Sequence, residues 1–247
     1  MKSLKDFLRP IAELQIVRRL WMLYMRRWVC PRLHRRYSGM SVGDVFSEIY
    51  AQDQWGGNKD SEFRSGTGSL DIHTERYCEF INSFIRNHKV RTVVDVGCGD
   101  FLVGRKIARP EISYIGLDVV ENLIAHNERT FAADHIRFQH GDLTSGSLPD
   151  ADLCLIRQVL QHLSNKEILL ALENCAKYRY VIVTEHVPSG RRVKSNLDKP
   201  HGPDVRLYWN SGIFLDQSPF FQKVQQLLDI PANSWSVFRT SLIEHVK

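Results

Sequence analysis

Apolar positions recur along the chain in two distinct periods. Residues 91–96 form a short apolar run around Thr92-Val93-Val94-Asp95-Val96, and comparable runs return at 113–118, 136–140, 152–156 and 180–184. Runs of that length, bounded by turn residues, predict buried strands. Between them the spacing widens to three and four. Tyr77, Phe80, Ile81, Phe84 and Ile85 stripe a helix over 74–86, and further helices are predicted over 101–108, before Pro110, and over 121–130. Ser164-Asn165-Lys166-Glu167 is a capping box that opens another helix to about Lys177. Strands alternating with helices predict a parallel sheet covered on both faces. The tail differs: strands over 224–228 and 236–245 are joined by 229–235, too short for a crossover helix, so they pair antiparallel. The expected fold class is α/β, a doubly wound, seven-stranded, mostly parallel sheet with an antiparallel strand near the edge, preceded by an N-terminal helical extension.

Within that extension a helix is predicted between Pro10 and Pro31. Leu14, Val17, Trp21, Tyr24, Met25 and Trp28 recur at helical steps on one side, and Arg18, Arg19, Arg26 and Arg27 fall on the other. Charge sharpens this picture. Residues 1–40 carry +8 and the whole chain +5, so the remainder is mildly acidic at −3. Two readings follow: a basic amphipathic helix that meets an anionic membrane surface, with nucleic acid as a secondary partner, or an apolar face packed on the protein's own body. No apolar run approaches the roughly 20 residues of a membrane span, and the run from Leu20 to Met25 meets arginines with no small-residue cleavage site. Five cysteines, scattered singly, predict reduced thiols in the cytoplasm. Ten dispersed histidines predict no metal site.

The chemistry is concentrated where Val93-Val94-Asp95-Val96 runs into Gly97-Cys98-Gly99-Asp100. Such a strand-to-turn junction lies at the ligand-binding end of a doubly wound sheet, where glycines admit a ligand close to the backbone and a following helix N-terminus favours negative charge. A dinucleotide fingerprint requires a third glycine where Leu102 stands. The second run ends in Ile115-Gly116-Leu117-Asp118, placing a carboxylate nineteen residues after Gly99, suited to paired ribose hydroxyls. His140-Gly141-Asp142-Leu143 closes the third, and Leu153 to Leu163 forms the fourth with its following segment.

In order and spacing these four motifs resemble those of class I S-adenosylmethionine-dependent methyltransferases. The resemblance implies S-adenosylmethionine as cofactor, met by Asp95, Gly97, Cys98, Gly99, Asp118, Val119, Asp142 and Leu143, with the Asp142 segment at the adenine amino group. Phe46-x-x-Ile49-Tyr50, Trp55-Gly56, Ser65-Gly66-x-Gly68-Ser69, Thr74-x-x-Tyr77, Asp204-x-Arg206 and Pro219-Phe220 are similar to a bacterial branch linked with surface-polysaccharide and small-molecule pathways. That similarity spans about residues 45–245. It implies a basic extension over 1–44 and a methyltransferase domain over 45–247, divided into a glycine-rich, lid-like segment over 45–75 and an α/β core over 76–247. An acidic residue commonly follows the arginine after the fourth strand in that branch. Here Gln158 stands there, so no carboxylate base is available at that point.

A hydroxyl acceptor must lose its proton, which places a base near the carboxyl ends of the fourth and fifth strands. His162, Glu185 and His186 are the candidates, each also readable as a packed or solvated group. Arg157 and Arg206 are read either as contacts to cofactor or an anionic acceptor, or as surface ion pairs. The expected activity is cytoplasmic O-methylation of a small-molecule or glycan-type hydroxyl, with the arm holding the enzyme at the inner membrane surface. The alternatives are an RNA methyltransferase that uses the arm as a clamp, and a non-catalytic cofactor-binding scaffold.

Overall fold

A computed structural model describes residues 15–55, 63–69 and 71–245. Leu14 of the expected apolar face, Gly56, Gly57 and Asn58 lie outside the described residues. One long helix opens the structure: α1 (Gln15–Tyr24) passes through a π-helical segment, Met25–Val29, into α2 (Cys30–Arg36). Next come α3 (Val42–Ala51) and α4 (Asp71–Asn87), then β1 (Thr92–Val96), β2 (Ser113–Asp118), α5 (Glu121–Phe131), β3 (Ile136–His140), β4 (Leu153–Arg157), α6 (Asn165–Cys175) and β5 (Tyr180–Pro188). Two-residue strands β6 (Lys194–Ser195) and β7 (Ser211–Gly212) pair beside the main sheet, and β8 (Gln225–Asn233) and β9 (Ser236–Glu244) end the chain.

The sheet has seven strands in the order β3-β2-β1-β4-β5-β9-β8. The first five are parallel, and β9 runs antiparallel to both β5 and β8, in agreement with the pattern of the tail. Alternation along each strand divides the core. Val94, Val96, Cys154, Ile156, Val181 and Val183 pack under α3, α5 and α6, while Val93, Leu153, Leu155 and Ile182 pack under α4. The Ser164–Glu167 capping box is present at the start of α6.

Three expectations are corrected. No α-helix follows the glycine turn over 101–108. Phe101 takes φ +60°, a left-handed conformation that cannot begin a helix, and only a 3₁₀ turn, Gly104–Lys106, remains. The favourable helix N-terminus expected there is therefore missing. Second, β5 runs four residues past Thr184 because β9 pairs with it as far as Pro188, so Glu185 and His186 are strand residues facing opposite sides. Third, the N-terminal helix turns inward a face that shares Met25 with the expected one but is otherwise shifted. Met22, Met25 and Cys30 are buried, whereas Trp21, Tyr24 and Trp28 stand exposed. Nor do all its arginines face water: Arg26 donates to the Tyr208 carbonyl, and Arg18 lies over the Trp235 ring. Among the described residues no helix is long and apolar enough to cross a membrane.

Candidate active site

Strand order reverses between β1 and β4, and a doubly wound sheet opens a crevice at such a point, beyond the carboxyl ends of its strands. A cavity of about 520 Å³ lies there. Asp95, Gly97, Cys98, Gly99, Asp118, Val119, Asp142 and Leu143 all line it, together with Arg157 and His162. Glu185 does not share it.

The β1 turn is shaped for close approach. Gly97 and Gly99 adopt φ +73° and +57°. A Cβ on Gly97 would fall 2.3 Å from Val159 Cγ2, and one on Gly99 2.2 Å from Ser65 Oγ. Asp118 accepts from the Gly99 and Val120 amides, each at 3.1 Å, while burial pushes its pKa upward. Asp142 accepts from the Thr144 amide at 2.7 Å. Asp95 is buried, accepts from the Tyr114 hydroxyl, and is raised by desolvation to about 6.

The glycine-rich loop is stapled across this turn. Ser65 donates its amide to Asp100 Oδ2 at 2.9 Å, the Asp100 amide donates to Ser65 Oγ at 2.8 Å, and Tyr50 joins that hydroxyl at 2.8 Å. At the loop's other end Arg157 Nη2 donates to the Gly68 carbonyl at 2.7 Å. The Arg157 guanidinium lies 5.2 Å over the Tyr77 ring, and its Nε is buried without a partner among the described residues. It is therefore no surface ion pair; it joins the loop to β4.

His162 closes the opposite end. Its ring sits among Trp55 and Phe46, with Nδ1 3.1 Å from the Gly202 carbonyl. A carbonyl can only accept, so Nδ1 carries the proton and Nε2 keeps its lone pair, 3.3 Å from the Gln161 amide nitrogen. Burial pushes the imidazole down to about 4, so it is neutral at pH 7. Between pH 6.5 and 4 the unfolded chain takes up a proton that folded His162 does not, so stability falls as pH drops through this range. Lowering pH from 7 to 5 should cost wild type about 2 kcal/mol more than His162→Gln, read by urea unfolding of both proteins at both pH values. Equal losses in the two would show that His162 titrates normally.

The short turn that carries this histidine, Leu160–His162, is held from both ends. Glu185 accepts from the Leu160 amide at 2.8 Å and the Gln161 amide at 3.2 Å, and burial raises it to about 8. Arg206 is buried as well. Its Nε donates to Leu197 O at 2.9 Å, Nη1 to Leu160 O at 3.3 Å and Gln161 O at 3.1 Å, and Nη2 to Leu163 O at 2.8 Å and Asn165 Oδ1 at 3.0 Å. The expectations of a base at Glu185 and of an acceptor contact or surface ion pair at Arg206 give way to one of positioning. His186 does line the cavity, 2.8 Å from Ser236 Oγ.

Several lining residues escaped the sequence reading. Arg18 and Met22 of α1, Val42 of α3, and Tyr208 and Trp235 all border the chamber, along with Trp21. Their sequence signal is only a scatter of aromatic residues. Nothing in their spacing reveals that the extension and the β8–β9 turn converge on one mouth.

Residues 93–178, from β1 to just beyond α6, match the profile of a methyltransferase domain. No curated protein sequence matches the chain significantly. Solved structures resemble it in fold. Human N-acetylserotonin methyltransferase, in complex with S-adenosylmethionine, superposes with a TM-score of 0.55 at 14% identity, over 92% of this chain and 70% of that one. The N-methyltransferase NodS from Bradyrhizobium japonicum gives 0.53 at 15% identity, over 79% and 98%. The N-terminal domain of EvdMO1, crystallised in the presence of S-adenosylhomocysteine and D-fucose, gives 0.51 at 14%, over 85% and 99%. Residues 93–178 thus carry a methyltransferase domain, set in a sheet with the fold of S-adenosylmethionine-dependent methyltransferases. The residues present fit S-adenosylmethionine: Gly97 and Gly99 line the cavity in a turn packed too closely on Val159 and Ser65 to admit a Cβ, and carboxylates end β2 and follow β3.

Proposed function

We propose that the enzyme methylates a hydroxyl oxygen of a small-molecule or glycan-type acceptor. In this reading Asp118 takes the ribose hydroxyls, the Asp142–Leu143 segment borders the adenine, and Asp95, Gly97, Cys98 and Gly99 form the cradle beneath the loop at Ser65–Ser69. The cofactor supplies an electrophilic methyl group on a sulfonium. His162 carries the acceptor side, and its neutral ring is the single observation on which the reading rests. With Nδ1 engaged by Gly202, Nε2 exchanges its contact with the Gln161 amide for an incoming hydroxyl, accepts its hydrogen bond and takes its proton as the oxygen becomes more acidic during transfer. Arg157 holds the loop closed over the cradle, which fixes orientation and keeps water out. A sugar-type acceptor agrees with the EvdMO1 domain, which was crystallised in the presence of D-fucose. The bacterial branch suggested by the flanking motifs points the same way.

Thermal unfolding with S-adenosylmethionine or S-adenosylhomocysteine tests the cofactor side. Ligand at 100 times its dissociation constant should add about 2.7 kcal/mol, raising Tm by roughly 5–10 °C. Asp118→Ala should lose that shift. On the acceptor side, labelled methyl should enter a base-stable ether, and His162→Phe should lower kcat while leaving the thermal shift intact. Label found in a base-labile ester would overturn hydroxyl transfer, and cofactor binding without transfer to any acceptor pool would favour the scaffold role.

A further inference from the structure

The long N-terminal helix presents a surface the catalytic chemistry does not use. Ten large hydrophobic residues are strongly exposed among the described residues, and six are on this helix: Ile16, Leu20, Trp21, Leu23, Tyr24 and Trp28, each between 49% and 72% accessible. Ile16 and Leu20 are four residues apart, and Leu23 and Tyr24 follow Leu20 by three and four, so they form one ridge. The opposite side of the helix is occupied: Met22 and Met25 are buried, Arg26 holds the Tyr208 carbonyl, and His34 Nε2 lies 3.0 Å from Asp204 Oδ2. The helix is thus anchored with its ridge outward. Its charge is one-sided as well. Residues 15–43 contain seven arginines and no carboxylate. Arg19, Arg27, Arg32, Arg35 and Arg36 are exposed.

We infer that this helix seats the enzyme on an anionic bilayer surface, with its apolar ridge in the interface and its arginines against lipid headgroups. An aromatic and aliphatic ridge beside a band of exposed arginines, of which Arg36 is paired with Glu48, matches such a surface, since apolar burial and attraction to anionic lipid add together. A nucleic acid would satisfy the arginines but leave the aliphatic ridge in water. The seating also sets an orientation. Trp21 lies on the exposed side and, with Arg18 and Met22, borders the mouth of the cavity, so the mouth opens along the membrane plane.

The test uses the full chain and flotation with phosphatidylcholine vesicles, alone or mixed with phosphatidylglycerol. Wild type should float with the mixed vesicles, at least about tenfold less with phosphatidylcholine alone, and less again as salt rises. Leu20 and Leu23 line no cavity, so Leu20→Glu/Leu23→Glu should weaken flotation about tenfold or more, with Tm and S-adenosylhomocysteine binding unchanged. Arg19→Glu/Arg27→Glu should do the same. Failure of wild type to float while it binds S-adenosylhomocysteine would overturn the seating and leave the proposed function standing. Flotation unaltered in both double variants would overturn it too. So would a soluble dimer that Leu20→Glu/Leu23→Glu converts to monomer, which would assign the ridge to a second copy. Binding to short RNA that Arg19→Glu/Arg27→Glu abolishes, without flotation, would assign the charge to nucleic acid.

Discussion

Arg206→Ala should be the most damaging single substitution in the protein, lowering stability by about 4–6 kcal/mol and Tm by roughly 10–20 °C. All five N–H donors of this buried guanidinium are used, on four carbonyls and the Asn165 side chain. Each buried carbonyl left without a partner costs about 1–3 kcal/mol, and the cavity adds to that. Lysine is not a remedy. Its three donors spring from one atom and cannot span acceptors on both sides of the chain, so Arg206→Lys should recover less than half of the loss. Arg206→Ala also removes a cation that favours ionised Glu185, and both variants loosen the turn that carries His162. Calorimetry of the three proteins checks the effect, and a lysine variant near wild-type Tm would show that charge alone, not the donor geometry, is what matters.

The second large effect is at the cradle. Gly97→Ala should abolish the cofactor-induced thermal shift, because its methyl falls 2.3 Å from Val159 Cγ2, a β-branched side chain with little freedom to move. The clash and the backbone conformation can be separated. In Gly97→Ala/Val159→Ala the contact is relieved, leaving the cost of an alanine at φ +73°, about 1–2 kcal/mol. The double variant should therefore bind S-adenosylhomocysteine more tightly than the single one, measured by isothermal titration. Binding no better than the single variant would place the whole penalty in the backbone.

The sheet was legible because buried strands leave compact apolar runs, and the four motifs sit at the ends of those runs. What could not be read is equally instructive. Thr184-Glu185-His186 looks like the polar exit of a strand. It is a strand interior because β9 pairs with β5 as far as Pro188, and the Leu160 and Gln161 amides and Ser236 then occupy the side chains of Glu185 and His186, none of these partners being near in sequence. Phe101 and Ile107 fall in a segment between strands and before Pro110, where a helix is expected, but act as separate anchors in the core, with Phe101 in a left-handed conformation. The N-terminal helix is apolar on too much of its circumference for spacing to choose the inward face, and the π segment at Met25–Val29 shifts its phase. Buried charges such as Arg206 and Glu185 invite a surface reading whenever their partners are remote in sequence.

The N-terminal helix has one more consequence. It borders the mouth of the chamber but meets the rest of the protein through a small set of groups, chiefly Arg26 at Tyr208 and His34 at Asp204 and Trp209, while the cradle and its stapled loop are built from β1, β2 and the residues around Ser65. The part of the mouth that the helix borders and the glycine cradle are thus coded in separate stretches of the chain. Changes on the exposed side of the helix that keep Met22, Met25, Cys30, Arg26 and His34 therefore reshape one rim of the chamber and leave the stapled loop untouched.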